Sequence, residues 1–165
     1  MRLRVIAFGK LKTPGLREAA DYYQKLLRPW APVEEVELKS IAVPDKSPAT
    51  RRQIQEKEAE ILSQRLSGAA AGRGRYYLLD ETGKTMSTQG WSELVRQWEN
   101  DAVPEAALCI GSSLGFSDSV RKSASGILSL GPQTLPHELA RVVLLEQLYR
   151  AWSVVRGHPY HNEGA

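Results

Sequence analysis

The 165-residue sequence is short of several things, and each shortage excludes something. It has one cysteine, Cys109, so an internal disulfide framework is excluded. That residue lies in the apolar run Ala106 to Ile110 and reads as an inert buried thiol in a reducing, cytosolic compartment, not as a nucleophile. No apolar run approaches about 18 residues, and Val5 to Phe8, after basic Arg2 and Arg4, is too short for a signal-peptide core. The expectation is a soluble cytoplasmic protein without a membrane span. Linkers, internal repeats and low-complexity tracts are missing too, which predicts one domain over 1–165. Lys and Arg exceed Asp and Glu only by 22 to 19, for a net charge of +3. Such a surplus permits a polyanionic partner but makes no dense basic stripe; the cations form small groups (Arg2 and Arg4, Lys10 and Lys12, Arg73 and Arg75, Arg121 and Lys122) that a dimer would double.

The familiar nucleotide fingerprints are absent as well. After the first apolar run stands Gly9-Lys10-Leu11-Lys12, not a glycine-rich loop, which weighs against a nucleotide-binding oxidoreductase domain. Asp80-Glu81-Thr82-Gly83-Lys84-Thr85 looks like the end of a phosphate-binding loop, but the motif needs a second glycine where Leu78 stands.

What is present is a regular alternation. Arg2 to Phe8, Val33 to Leu38, Arg75 to Leu79, Ala106 to Ile110 and Gly126 to Leu130 read as strands, whereas Leu16 to Leu27, Ala49 to Leu66, Thr88 to Asn100 and Ser117 to Ala124 carry helical spacing. Pro and Gly punctuate the joints, including Gly68 and Gly72 to Gly74. The pattern predicts an α/β fold, a mostly parallel sheet flanked by helices. Arg51 to Glu60, with a thin apolar stripe at Ile54, Ile61 and Leu62, reads as a solvated cover.

A last helix is predicted from about Pro136 to Arg156, with Glu138 at its positive end and Gly157 after it. Its apolar residues cover most of its circumference, so it is buried on several sides. A rod of roughly 30 Å is too long for so small a chain to wrap alone, and part of its surface, Trp152 included, is predicted to be a subunit interface.

Polar groups gather at the ends of three strands. Asp80 and the turn after it, Gly111-Ser112-Ser113-Leu114-Gly115, and Leu130-Gly131-Pro132-Gln133-Thr134-Leu135 would lie at one sheet edge and form one cleft. Leu79, Leu130 and Leu135 would face a flat apolar group there, and loop amides its polar edge, which suits an adenine-containing ligand. Beyond the last helix, His158-Pro159-Tyr160-His161 pairs two imidazoles with an aromatic ring; no third ligand is near, so no metal site is predicted. Such a tail suits a position over a cleft, its own or a neighbour's, stacking on a base or moving a proton. His137 reads as a helix-start residue.

Together, Arg4 to Lys12, Leu79 to Lys84 (LDETGK), Ile110 to Gly115 (IGSSLG) and the run Leu135 to His161 resemble the RlmH family, the SPOUT-class methyltransferases of large-subunit ribosomal RNA. The likeness runs end to end in the same order. It implies a C-terminal trefoil knot, an obligate homodimer, and S-adenosylmethionine as donor for N3-methylation of a pseudouridine in 23S rRNA on the assembled ribosome. Carried over, its cofactor contacts fall on Leu79, Gly111 and Leu130, Gly131, Pro132, Gln133, Thr134 and Leu135. Candidates for removing the proton or stabilising the developing anion are His158, His161 and Arg141; candidates for positioning RNA are Tyr160 and Arg156. No metal is required.

Two departures stand out. Ser112 occupies a position where the family commonly has glycine, and the Gly131-Pro132 pair is unusual in its loop. A Cβ at 112 and a missing amide at 132 predict weaker cofactor binding if close approach or amide donors are needed there. A non-catalytic ribosome-binding dimer that kept the fold but lost the cofactor is therefore the alternative, ahead of the oxidoreductase reading.

Overall fold

The computed structural model describes residues 1–70 and 72–161. Its elements run β1 (Arg2–Phe8), α1 (Leu16–Leu27), β2 (Val33–Leu38), α2 (Pro48–Ala70), β3 (Arg75–Thr85), α3 (Thr88–Asn100), β4 (Glu105–Ile110), α4 (Asp118–Ser123), β5 (Gly126–Ser129) and α5 (His137–Val155). The strands pair in parallel in the order β2-β1-β4-β3-β5. A parallel sheet needs cover on both faces, which is why β1 is apolar from Val5 to Phe8 and β4 from Ala106 to Ile110.

Side-chain alternation divides the core in two. Leu3, Val5 and Ala7 face a layer built by α1, α3 and α5, with Trp91, Trp98, Leu144, Leu148 and Trp152. Ile6 and Phe8 face the other layer, with Leu62 and Leu66 of α2 and Val120 of α4. Cys109 belongs to that second layer, and burial pushes its thiol up to about 12, so it is an inert core residue. No helix among the described residues is long and apolar enough to cross a membrane.

Three sequence expectations change. The β3 strand does not end at Leu79: after a bulge it pairs again through Lys84 and Thr85, since Leu79 and Lys84 both sit opposite Leu128. A Cβ on Gly83 would come within 2.7 Å of the Ile127 backbone, so the return path needs a residue without one. Second, α2 runs through Gly68 to Ala70. It is more than a solvated cover, because Ile54, Glu58, Ala59 and Leu62 are buried. Third, Trp152 is not at a subunit interface: it is fully buried within one subunit, 6.1 Å from the Trp98 ring. What α5 leaves partly open is a different stripe, Leu139, Val143, Glu146, Arg150 and Val154.

The start of α5 is tied to the loop after β1. Pro136 gives no side-chain cap. The Glu138 carboxylate accepts from the Lys12 amide (2.6 Å), the Thr13 amide (3.0 Å) and the Thr13 hydroxyl (2.6 Å). The Thr13 hydroxyl, the Thr13 amide and the Lys12 amide together hold that carboxyl at about 2.

Candidate active site

The carboxyl ends of β3, β4 and β5 open into one cleft of about 1190 Å³. Its walls include Leu79 to Thr82, Ile110 to Ser117, and Leu130 to His137 apart from Pro132. The structure therefore brings together Leu79, Gly111, Leu130, Gly131, Gln133, Thr134 and Leu135, as expected from the three loops, while exposed Pro132 stays out of the wall.

The loops are cross-linked. Arg121 donates to Asp80 at 2.6 Å, and Thr134 donates to Glu81. Burial would raise the Asp80 carboxyl, but the Thr82 hydroxyl and amide and the Arg121 guanidinium outweigh it and hold it below the usual carboxylate range. An ionised Asp80 therefore fixes the turn after Leu79. In the third loop Gly131 has φ +139, a backbone state that strains any residue with a Cβ, and its amide and carbonyl both bond the Ser129 hydroxyl.

Gly111 packs closely against the ring of its own loop's Phe116. A Cβ there would meet the Phe116 ring at 3.1 Å, so a larger residue would displace Phe116 and the loop with it. Ser112 needs no positive φ: among the described residues only Ala102 has one without being glycine. Its hydroxyl turns away to Glu58 at 2.7 Å.

The remaining candidates are elsewhere. Arg141 is completely buried at the sheet edge, 2.5 Å from Glu35 and 3.2 Å from Glu37, and donates to the Gly9 carbonyl at 3.0 Å. The alternation of β2 turns both carboxylates to the α1–α5 side, where Arg17 joins them. Burial would raise the Glu35 carboxyl, but Arg17 and Arg141 hold it at about 2. Arg141 thus joins β1, β2 and α5, and it is absent from the cleft wall.

His158, Tyr160 and His161 follow α5 and turn back along it: the Tyr160 hydroxyl donates to Glu146 at 3.1 Å, roughly 14 Å along the helix from His137. His158 packs edge-on against Trp30 at 5.5 Å, and Tyr160 lies 4.5 Å from the Tyr149 ring with Arg150 over its face. Burial pushes the Tyr160 phenol up, and Tyr23 and Glu146 add to the shift. Arg150 approaches Nδ1 of His161 at 3.2 Å; a guanidinium only donates, so this nitrogen is the acceptor. Arg156 pairs with Glu99 at 2.5 Å. Among the described residues no group of three or more His, Cys, Asp or Glu is placed to hold a metal.

Sequence reasoning missed the outer wall of the cleft: Ile41 and Val43 after β2, and Arg51, Arg52 and Gln55 on α2. The only signal was helical spacing, since Arg51, Gln55 and Glu58 share one face, a pattern that a solvated helix also shows. His137, read as a helix-start residue, is one and also lines the cleft.

A family model described as a predicted SPOUT methyltransferase matches residues 1–161. The chain is 38% identical over 162 residues to a ribosomal RNA large subunit methyltransferase H of Desulfovibrio desulfuricans, covering 97% of each chain. The like-named protein of Solidesulfovibrio magneticus is 39% identical over 160 residues, 97% of this chain and 98% of the relative. That of Streptococcus equi subsp. zooepidemicus is 36% identical over 162 residues, 98% of this chain and 99% of the relative. With identities of this size sustained from end to end, the chain belongs to the SPOUT methyltransferases and, among them, to the RlmH family.

Proposed function

We propose that the chain is an S-adenosylmethionine-dependent methyltransferase of large-subunit ribosomal RNA that methylates N3 of a pseudouridine on the assembled ribosome and works as a homodimer. The observation that carries this reading is the convergence of three strand-end loops on one cleft. The cleft fits the cofactor chemically. Leu79, Leu130 and Leu135 offer apolar surface to an adenine, the adjoining loops offer backbone polar groups, and its volume exceeds the usual range for one small ligand, leaving room for a target base. When bound, the cofactor supplies an already activated methyl group on a sulfonium.

The protein's own tasks are alignment and proton removal. The loops from Leu79, Gly111 and Leu130 to Leu135 hold the donor in line with the attacking nitrogen. The groups suited to the proton are His158 and His161, and those suited to the RNA are Tyr160 and Arg156. Arg141 is left out of the chemistry, because its guanidinium is buried and engaged by Glu35, Glu37 and Gly9.

A tail packed against Glu146 to Arg150, roughly 14–20 Å along α5 from His137 at its own cleft, serves another one. Two α5 helices packed antiparallel along the Leu139–Val154 stripe would bring each tail to the partner's cleft, with one isologous interface. Dimerisation and activity are then one requirement. Scattered cations position RNA without reading it, so a small protein needs the ribosome's larger surface to select one base, and activity falls with salt.

The test is labelled-methyl transfer to purified ribosomes lacking the modification, with calorimetry against S-adenosylmethionine and NAD. Transfer to intact ribosomes, with much less to naked rRNA, is the expected result. Cofactor binding without transfer points to another substrate; no binding at all leaves the non-catalytic ribosome-binding dimer.

A further inference from the structure

The loop after β4 is held from behind by one face of α2. Gln55 donates to the Leu114 carbonyl at 2.7 Å, and Arg51 donates to the same oxygen at 3.2 Å. One turn further on, Glu58 accepts the Ser112 hydroxyl at 2.7 Å. That hydroxyl oxygen in turn accepts from the Leu114 amide at 3.3 Å, and the Ser112 carbonyl accepts from the Gly115 amide at 3.0 Å. The tight turn after β4 is thus fastened at Ser112 and Leu114 by three side chains of a single helix.

Glu58 is an unusual residue to find there. It is 4% exposed, its second oxygen Oε2 is buried without a hydrogen-bond partner, and no cation pairs with it among the described residues. Burying a carboxyl this way costs free energy, and the small pocket it lines is mostly apolar, with Phe8, Ala59, Leu62, Phe116 and Val120 beside Gln55 and Ser117. As a mere core-filler it would be a poor choice. Its hydrogen-bond partner among the described residues belongs to the loop whose other side lines the cleft.

We infer that Glu58, acting through Ser112, is a positioning residue for the Gly111–Gly115 loop and sets the affinity of the cleft for its cofactor. The inference rests on the cofactor reading above and reverses the expectation for Ser112. A side chain at this position does not obstruct the ligand; it anchors the turn that receives it. Gln55 and Arg51 share the anchoring at Leu114, so α2 is part of the binding machinery although it contributes no strand-end loop.

Loss of a hydrogen bond at a buried carboxyl predicts roughly a tenfold rise in the S-adenosylmethionine KM and Kd for Glu58→Ala, with kcat at saturating cofactor nearly kept. Ser112→Ala, which also removes the acceptor of the Leu114 amide, produces at least that change, and the double variant is no worse than Ser112→Ala, because the bond between the two side chains is already gone. Glu58→Gln keeps an acceptor for the Ser112 hydroxyl and restores wild-type affinity. Gln55→Ala, at an accessible contact, gives a smaller rise and guards against misfolding of the Glu58→Ala variant. In cofactor-free protein, amide hydrogen exchange over 111–116 quickens in Glu58→Ala and Ser112→Ala but not in Glu58→Gln.

Additive effects of the two alanine variants, or unchanged affinity and exchange in both, overturn the inference while leaving the cofactor reading intact. A fall in kcat with KM unchanged also overturns it. If the wild type binds no S-adenosylmethionine, the cofactor reading fails and takes the affinity role with it. The exchange data then still report whether Glu58 fixes the loop.

Discussion

Arg141 shows how a buried ion pair commits a residue. Its fully buried guanidinium holds Glu35, Glu37 and the Gly9 carbonyl together, with Glu35 half-buried and Glu37 reaching solvent. Arg141→Met therefore leaves half-buried Glu35 with Arg17 as its one remaining cation among the described residues and is predicted to cost about 2–3 kcal/mol in urea unfolding, with activity lost only as far as folding is lost. Glu35, held at about 2, has a folded value below its unfolded one. Its pairing is fully present above the ordinary carboxylate range and drains away as pH falls through about 2, so the unfolded state takes up protons first. Wild-type stability should fall steeply from pH 5 to 2, and Arg141→Met should show a shallower slope; equal slopes would exclude the pair as the cause. Glu58 has the opposite sign, because burial raises its carboxyl. The folded state binds its proton more tightly, so the cost of ionising it grows as pH rises from the ordinary carboxylate range towards the raised value. Glu58→Gln should be close to wild type in melting temperature near pH 4 and more stable at pH 8, as calorimetry at the two pH values would show.

Among the elements, α5 carries two kinds of surface, and they predict different failures. Trp152 belongs to the subunit core beside Trp98, so Trp152→Ala is predicted to destabilise the fold by about 3–5 kcal/mol, measured by urea denaturation. Leu139 is 36% exposed and opens the outer stripe, where glutamate is tolerated in a first helical turn. Leu139→Glu should keep the far-ultraviolet circular dichroism and sediment as a monomer; a stable dimer at micromolar concentration would remove this stripe from the interface. The sequence could not separate these surfaces, because the periodicity of α5 shows that it is apolar nearly all round but not which neighbour covers which side. Elements whose signals are local were legible: β1, β2, α1 and α3 begin and end where alternation, helical spacing and Pro or Gly punctuation place them. The far half of β3 was not, since Lys84 and Thr85 are strand residues only by pairing with β5. The three loops of the cleft were legible as strand ends with glycines. The α2 wall was not, because Arg51, Gln55 and Glu58 look like solvent-facing residues until the fold places Ser112 and Leu114 against them. The ion pairs of Arg141 were hidden for a related reason: a cation on an apolar helix looks the same whether it awaits a substrate or a carboxylate of its own fold.

At the scale of the whole molecule, the distance between cleft and tail decides how many subunits one turnover needs. Each subunit has a cleft at the start of α5 and packs Tyr160 and His161 against Glu146 and Arg150 further along it, so with the roles proposed above a subunit acting alone would hold donor and proton-handling groups apart. Antiparallel pairing predicts complementation. One variant, Gly111→Val, displaces Phe116 and the loop after β4; another lacks His158 to Ala165, of which residues 162–165 lie outside the described part of the structure. Each alone should give little methyl transfer to ribosomes. In a mixed dimer, the intact tail of the first subunit reaches the intact cleft of the second, and that one composite site works. An equal mixture, refolded or co-expressed, should therefore recover about a quarter of wild-type activity, because half of the dimers are mixed and each has one good site of two. Tail deletion alone should lower kcat far more than S-adenosylmethionine affinity, since the cleft loops remain whole. Labelled-methyl transfer by the separate variants and their mixture is the measurement. If the tail-deleted protein is fully active, the tail has no part in the chemistry; if the mixture stays as inactive as its components, each tail serves its own subunit and the antiparallel arrangement is wrong.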